Sequence, residues 1–225
     1  MRYDVMTLFP ALIENCLSES VIGRAQKAGI IEVHAHNIRD FSTDKHRRVD
    51  DILYGGGKGM LMAPQPIYDC YKHIEDELGG KPYVVYMSPQ GKVFDQDTAK
   101  RLAEKKNLTF LCGHYEGVDR RIIEEIVDEE ISIGDYVLTG GELPACIVID
   151  AVSRMLPGVL SEDVCFEHES FYNGILEEPQ YTRPPVFHGR EVPEVLLGGD
   201  HKEIEKWRYE AALELTRRNR PDLLK

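Results

Sequence analysis

One arginine and two carboxylates occupy settings in which they could do chemistry. Arg154 follows Asp150 by four residues in a predicted helix, a spacing that suits an i,i+4 ion pair. The rest of that helix is largely apolar, and a cation buried among apolar side chains requires a partner or a function. Both interpretations of Arg154 are open at this stage. Glu116 lies in a predicted loop and Glu169 in an acidic segment, where solvated carboxylates are the default.

A group of cations forms a second candidate. Arg39, Lys45, Arg47 and Arg48 lie in a long polar stretch, residues 38–63. The stretch exceeds the usual length of a loop, so it is either functional or mobile. Such cations usually form a solvated face. Because two histidines flank them, they could instead bind phosphates.

Several familiar nucleotide and metal motifs are missing from the sequence. The glycine run at residues 55–59, GGGKG, does not have the spacing of a P-loop, and no strand leads into G-x-G-x-x-G. Neither the G-x-S-x-G elbow of hydrolases nor the H-E-x-x-H zinc motif occurs. P-loop, Rossmann, α/β-hydrolase and zincin chemistry are therefore unsupported.

Three glycine-bearing loops follow three predicted strands. In an open α/β sheet, ligands bind outside the carboxyl ends of the strands, where glycines let main-chain groups approach a flat ligand. The loops could form a pocket wall that reads the edge of a heterocycle. The alternative is that Gly134, Gly140 and Gly141 simply make turns. The loops are SPQG (88–91), GHYEG (113–117) and SIGDYVLTGGELP (132–144).

The pattern of strand, loop and helix predicts an α/β fold with a largely parallel sheet and helices on both faces. The helix at 142–156 is apolar nearly all round, so we expect it to be buried against the sheet or a second subunit. Strands are predicted at 2–8, 31–37, 83–87, 108–112 and 130–133, and further helices near 95–105 and 119–127.

The composition changes after Pro157. Residues 162–182 carry six acids and no Lys or Arg, which is typical of a linker. Beyond it, residues 202–217 place Ile204, Trp207, Ala211 and Leu215 on one helical face. We predict an α/β domain at 1–160, a linker at 161–180 and a small helical domain at 181–225.

The composition of the 225 residues is that of an ordinary globular protein. With 27 Lys+Arg against 39 Asp+Glu, the net charge of −12 argues against bulk nucleic-acid binding, although a local basic patch is compatible with it. Five cysteines without a C-x-x-C pair argue against a disulfide framework or a zinc knot. No apolar run approaches the roughly 18 residues of a membrane span, and the amino terminus does not resemble a signal peptide. We expect a cytoplasmic protein that does not contact membranes.

Long motifs in a fixed order give the chain a family resemblance. It closely resembles the bacterial-type tRNA (guanine-N1)-methyltransferases, which belong to the knotted, SPOUT-class S-adenosylmethionine-dependent methyltransferases. The motifs cover nearly the whole chain: TLFP (7–10), RDFSTDKHRRVDD (39–51), YGGGKGMLM (54–62), SPQG (88–91), CGHYEGVDRR (112–121), SIGDYVLTGGELP (132–144), SRMLPGVL (153–160), ESF (169–171) and PQYTRP (179–184).

The resemblance implies a trefoil knot in the carboxyl-terminal part of the α/β domain and a homodimer with shared active sites. It implies tRNA as substrate, at the guanosine just 3′ of the anticodon when another guanosine precedes it. The modified base helps to hold the reading frame. It also assigns S-adenosylmethionine to Tyr86, Met87, Ser88, Pro89, Gln90, Gly113, Tyr115, Glu116, Ser132, Ile133, Gly134, Asp135, Tyr136, Val137, Leu138, Gly140, Gly141, Pro144 and Glu177.

The resemblance also implies catalytic roles. Guanine N1 carries a proton, which a general base must remove, and a fixed cation is most useful where charge builds on the guanine oxygen. Arg154 matches the family's cation. The family's base is an aspartate in a D-S-F motif that here reads Glu169-Ser170-Phe171, one methylene longer, with His168 as a neighbouring alternative.

Further roles are implied around these two residues. Glu177 also replaces a family aspartate, and it and Glu116 would orient the amino group of the cofactor or hold a divalent ion such as Mg²⁺. Gly59 and Ser170 are assigned to the substrate. Two alternatives stay open: a related enzyme that acts on ribosomal RNA, and a non-catalytic RNA- or ligand-binding protein that keeps the fold.

Overall fold

A five-stranded parallel sheet, with its strands in the order 32–37, 2–7, 107–112, 84–93 and 129–132, forms the centre of the first part of the protein. The computed structural model describes residues 1–161, 166 and 169–224. The strands are β1 (Arg2–Thr7), β2 (Glu32–Asn37), β5 (Val84–Val93), β6 (Asn107–Cys112) and β7 (Glu129–Ser132), and an antiparallel hairpin pairs β3 (Asp50–Ile52) with β4 (Met60–Met62). The predicted parallel α/β architecture is confirmed.

Helices cover both faces of this sheet because its strands alternate apolar side chains between the two faces. In β6, Phe110 points to one face and Leu111 to the other, and both are fully buried. The helices are α1 (Pro10–Leu17), α2 (Ser20–Lys27), α4 (Gln96–Ala103) and α6 (Glu142–Ser153) on the first face and α3 (Pro64–Leu78) and α5 (Arg120–Ile126) on the second.

The chain divides into two compact units between residues 163 and 164. The second unit contains a hairpin, a short helix and a longer one: β8 (Val186–Phe187), β9 (Arg190–Glu191), α7 (Glu194–Leu197) and α8 (His201–Asn219). On α8, the buried residues Ala212 and Thr216 face inward. The Thr216 hydroxyl accepts a hydrogen bond from the Leu176 amide at 2.9 Å and donates one to the Ala212 carbonyl at 2.7 Å.

Two expectations about the first unit need correction. The stretch at 38–63, predicted as one long loop, contains a 3₁₀ turn (Ile38–Phe41) and the β3–β4 hairpin. Strand β5 does not end at residue 87 but continues to Val93, with a register shift against β7 between Met87 and Lys92. Helix α6 packs on the sheet with one face, whereas Leu143 and Ile147 on its other face are about half exposed. Burial of that face against a second subunit stays a prediction.

The remaining predicted elements agree within a few residues, and α2, α3 and the β8–β9 hairpin were not predicted. Among the helices of the described residues, none has both the length and the hydrophobicity that a bilayer span demands. Cys16, Cys70, Cys112 and Cys146 are free thiols, whereas Cys165 lies outside the described residues.

Candidate active site

A cavity of about 430 Å³ opens beside the irregular part of β5 and the carboxyl ends of β6 and β7. The carboxyl ends of the strands are the place where an open parallel sheet binds its ligands. The wall of the cavity consists mainly of this part of β5 and of the two glycine-bearing segments that follow β6 and β7. The lining segments are Tyr86–Gln90, Gly113–Val118, Ile131–Gly134 and Tyr136–Gly141, together with Arg120, Ile123 and Pro144.

The first wall is the irregular part of β5. The Gln90 amide donates to Ser88 Oγ at 3.1 Å, which holds the turn closed. A side chain at Gly91 would collide with the backbone of Glu130, so the segment can approach β7 only as glycine. On β7 the Gly134 amide donates to Ser132 Oγ at 3.2 Å. These local bonds fix main-chain groups around the cavity.

The second wall is the segment that precedes α6. The Gly141 amide donates to the Gly113 carbonyl at 2.9 Å, so the chain returns from the edge strand β7 to the end of β6. A Cβ on Gly141 would lie 2.7 Å from Cys112 Cα, closer than atoms can approach. Glycine is therefore required at this contact.

A buried carboxylate at the start of α6 fixes the same segment to β1. Glu142, the first residue of α6, is only 3% exposed, and its Oε1 accepts a hydrogen bond of 2.7 Å from the Thr7 hydroxyl. A negative charge at this end of a helix is favourable because unpaired amides point towards it. Sequence reasoning missed Glu142, since its partner lies on β1 and no local pattern connects the two.

Tyr86 forms the floor of the cavity. Burial raises the pKa of Tyr86 to about 12, and the nearby charge of Glu130 adds to this effect. The phenol therefore stays protonated at neutral pH. A Cβ on Gly113 would lie 2.9 Å from the Tyr86 hydroxyl oxygen, so this glycine too is a close contact.

The β3–β4 hairpin is attached to the rim of the cavity. The Glu116 amide donates to the Met60 carbonyl, and the Met62 amide donates to the Gly117 carbonyl, both at 3.0 Å. Gly59, with φ of +96°, packs on Glu116, and a Cβ there would lie 2.9 Å from Glu116 Cδ. The structure thus brings the predicted substrate residue Gly59 against the predicted cofactor residue Glu116, which is exposed.

The basic stretch reaches the same rim through one residue. Arg39 Nη2 donates to the Tyr115 hydroxyl at 3.2 Å, and Tyr115 has φ of +58°. Arg47 pairs with an aspartate at position 40 (2.9 Å) and Arg48 with one at position 44 (3.4 Å), so acids offset part of the positive charge. Phosphate binding by this stretch stays a prediction.

Arg154 lies at the other end of α6. It is partly buried at the carboxyl-terminal cap, and its amide donates to the Asp150 carbonyl at 3.1 Å. Desolvation raises the pKa of Asp150, and the charge of Arg154 only partly offsets this. Ten residues of helix separate Arg154 from Pro144 in the cavity wall, a distance of about 15 Å. Arg154 is therefore remote from the cavity of its own chain.

The remaining predicted residues belong to the second unit. The Glu177 amide donates to Ser170 Oγ at 3.0 Å, so the predicted cofactor and substrate residues there are neighbours. Glu177 Oε1 also accepts a hydrogen bond from Gln180 Nε2 at 2.9 Å. The Glu169 amide donates to the carbonyl of residue 166 at 3.3 Å. His168, the alternative base, and its neighbour Glu167 lie outside the described residues.

One cluster of described residues could hold a metal ion, but it lies elsewhere. Asp4, His36 and Glu77 bring their ligand atoms within 4.8 Å of one another, on β1, β2 and α3. The Arg2 guanidinium already bonds Asp4 at 2.8 Å and Glu77 at 2.5 Å. The cluster is thus an ion-pair network.

Comparison with known proteins shows the family of the chain. The family model described as tRNA (Guanine-1)-methyltransferase TrmD matches residues 1–225. The chain belongs to the tRNA (guanine-1)-methyltransferase family. It is similar to the tRNA (guanine-N(1)-)-methyltransferase of Ruminiclostridium cellulolyticum, with 60% identity over 99% of this chain and 96% of the relative. It is also similar to the tRNA (guanine-N(1)-)-methyltransferase of Clostridioides difficile, with 55% identity over 100% of this chain and 98% of the relative.

Membership of the tRNA (guanine-1)-methyltransferase family confirms the resemblance and the predicted enzyme class. All the residues that the resemblance assigned to the cofactor line the cavity, except Asp135 and Glu177. His114, Gly117 and Thr139 also line the cavity, and they lie in the loops predicted as its wall without having been assigned individually. Sequence reasoning missed Val118, Arg120, Ile123 and Ile131. Most of these residues lie within or beside the motifs at 112–121 and 132–144, so the motifs could have been used to predict them.

Proposed function

We propose that this member of the tRNA (guanine-1)-methyltransferase family methylates N1 of the guanosine immediately 3′ of the anticodon, where another guanosine precedes it. The modification would support maintenance of the reading frame. The observation that carries the proposal is the glycine-rich cavity beside β5 and the carboxyl ends of β6 and β7. The free thiols and the tRNA substrate fit a cytoplasmic location.

The residues around the cavity fit S-adenosylmethionine. Its volume lies in the range of small-ligand pockets, and Gly113 and Gly141 leave no room for side chains of their own. Exposed main-chain groups beside these glycines can hydrogen-bond the edge of an adenine ring. When bound, the cofactor supplies a methyl group on a sulfonium centre. Glu116 and Glu177 would orient its amino group or hold Mg²⁺, for which carboxylate oxygens are suitable ligands.

Two side chains carry the proposed proton and charge chemistry. The Glu169 carboxylate removes the proton from guanine N1, which makes the nitrogen nucleophilic as the methyl group is transferred. The Arg154 guanidinium stabilises the negative charge that develops on the guanine oxygen. Gly59 and Ser170 contact the base. Glutamate at position 169 reaches one methylene further than the family's aspartate.

We propose that the active form is a homodimer with shared sites. The distance of about 15 Å between Arg154 and its own cavity wall supports this, because a second copy can bring its Arg154 to the cavity. Leu143 and Ile147 on α6 are 49% and 48% exposed, and Leu12 on α1 is 39% exposed. Together with Val137 and Leu138 they form an apolar patch (Leu12, Val137, Leu138, Leu143 and Ile147) typical of an interface.

The trefoil knot and the role of the second unit are also proposals. The return of the chain from β7 to the end of β6, where Gly141 bonds Gly113, supports the proposed knot. In the second unit, the basic last turn of α8, with Arg217 and Arg218, supports tRNA binding by residues 181–225. Residues 161–180 would be the linker.

Methyl transfer to two transcripts tests the proposal. We expect labelled methyl incorporation into a tRNA transcript with guanosine 3′ of the anticodon. No incorporation is expected with adenosine there, because that base has neither the N1 proton nor the oxygen. Incorporation regardless of this base would overturn the proposed site. A folded protein that methylates no RNA would favour a non-catalytic RNA- or ligand-binding protein. Methylation of ribosomal RNA alone would favour the related enzyme that acts on ribosomal RNA.

A further inference from the structure

The tip of the β3–β4 hairpin presents an aromatic ring to solvent. Tyr54 is 98% exposed, and the neighbouring Ile52 is 76% exposed. Gly55, Gly56 and Gly57 follow with φ of +83°, +81° and +140°, and a Cβ on any of them would meet nothing within 4 Å. The loop therefore stands clear of the protein, with one ring and few other side chains.

This ring stands on the rim of the candidate active site. The base of the hairpin is bonded to the loop after β6, where Met62 and Val118 form a parallel bridge. At the end of the glycine loop, Gly59 packs on the side chain of Glu116, which lines the cavity. If part of a large ligand enters the cavity, the parts that stay outside the cavity would thus lie close to the hairpin.

Positive charge accompanies the ring. Lys58 lies in the same loop and is exposed. Arg121, at the start of α5, lies in the neighbourhood of Tyr54 and pairs with Asp119 at 2.8 Å. An exposed aromatic ring with cations beside it is the combination by which proteins hold single-stranded nucleic acid, stacking on the bases and neutralising phosphates.

We infer that Tyr54 stacks on the nucleobase that precedes the target guanosine in the substrate RNA. The inference rests on the proposed function. The target base must itself enter the cavity, whereas Tyr54 stands in open solvent outside it, so the ring is available to a neighbouring base. An anticodon loop is single-stranded, and its bases can be unstacked and splayed onto an aromatic side chain.

Binding of RNA hairpins to Tyr54 variants tests the inference. We expect Y54A to raise the Kd for a hairpin with the target sequence by about 5- to 100-fold, the range that loss of one stacked base gives. Y54F should bind like the wild type because it keeps the ring, and Y54L should bind like Y54A. The affinity for S-adenosylhomocysteine should be unchanged in all three variants.

An abasic nucleotide identifies the stacked base. In a double-mutant cycle, the Y54A penalty should disappear when the preceding nucleotide is abasic and persist when the following nucleotide is abasic. Wild-type affinity of Y54A, or a penalty that persists with the preceding abasic site, would overturn the inference. Dissociation of Y54A into monomers in sedimentation would also overturn it, since the ring would then contact a second copy. Wild-type methyl transfer is measured separately, so failure of the proposed function is distinguishable.

Discussion

The amide of Gly141 bonds the carbonyl of Gly113 at 2.9 Å, and this contact joins two walls of the cavity that are distant in sequence. The contact requires glycine at position 141, because a Cβ there would lie 2.7 Å from the α-carbon of Cys112. The geometry of the candidate cofactor site therefore depends on an absent side chain.

Gly141→Ala should weaken both the fold and cofactor binding. The added methyl group forces the two segments apart, and overpacking of this kind costs about 1–3 kcal/mol of unfolding free energy. We expect at least a tenfold rise in the Kd for S-adenosylmethionine by calorimetry and a lower Tm. Gly80→Ala is the matched control, since a Cβ there meets nothing within 4 Å. Normal cofactor affinity in Gly141→Ala would contradict the close-contact account.

Arg154→Ala and Glu169→Gln should each lower kcat by about 100-fold or more while cofactor affinity stays near that of the wild type. Loss of a general base or of an oxyanion-stabilising group typically has this size. Single-turnover methylation and calorimetry separate the two quantities. Glu191→Gln, an exposed carboxylate of the same unit as Glu169, is the control. Equal losses of binding and turnover in Arg154→Ala would instead indicate a structural role.

Mixing the two inactive variants should restore activity if each site takes Arg154 from one subunit and Glu169 from the other. Random exchange of subunits makes half the dimers mixed, each with one intact site, so about one quarter of wild-type activity is expected. Exchange is followed with differently tagged chains. Complete exchange without recovery would rule out this division of the site.

Ile147→Glu should convert the proposed dimer into monomers and abolish turnover. The residue is 48% exposed within the apolar patch, so the charge would not disturb the core but would be buried unpaired in an interface. Analytical ultracentrifugation measures the oligomeric state. Val93→Glu, at a 57% exposed apolar position outside the patch, adds the same charge and should leave the dimer intact. An unchanged dimer in Ile147→Glu would place the interface elsewhere.

Acid should weaken the fold partly through Asp4. Burial opposes ionisation of this carboxyl, but hydrogen bonds from His36 and Arg2, both 2.8 Å from Oδ1, hold its pKa below the usual value. A lowered pKa stabilises the folded state above the unfolded pKa of about 3.9, and the contribution is lost as the pH falls through the folded value. Asp4→Asn should cost about 2 kcal/mol at pH 7.

Denaturant unfolding at several pH values checks this prediction. The difference in unfolding free energy between wild type and Asp4→Asn should begin to narrow below about pH 4, because the unfolded carboxyl is protonated first, and it should be lost once the pH has fallen through the lowered folded pKa. Asp97→Asn, on an exposed aspartate of α4, should show no such pH dependence. A constant difference from pH 3 to pH 7 would refute the role of Asp4.

The sequence predicted the sheet well because each strand and its following helix carry a local pattern. It also predicted that the three glycine loops would meet, since parallel strands such as β5 and β6 end at the same edge. Long-range contacts were not predictable. The burial of Glu142 depends on Thr7, and the extension of β5 depends on Gly91 meeting Glu130, so neither leaves a local signal. The hairpin strands β3 and β4 are too short, at three residues each, to show alternation.

A cavity walled by main chain has a consequence for inhibition. A competitive inhibitor that hydrogen-bonds main-chain groups of the cavity contacts carbonyls that every residue possesses and amides that proline alone lacks, so no substitution other than one to proline can delete its partners. Resistance would have to add bulk instead, and at Gly91 or Gly141 added bulk collides with the backbone of a neighbouring segment. Escape at these positions would damage the enzyme itself, which makes the backbone-facing part of the cavity the better target for a durable drug.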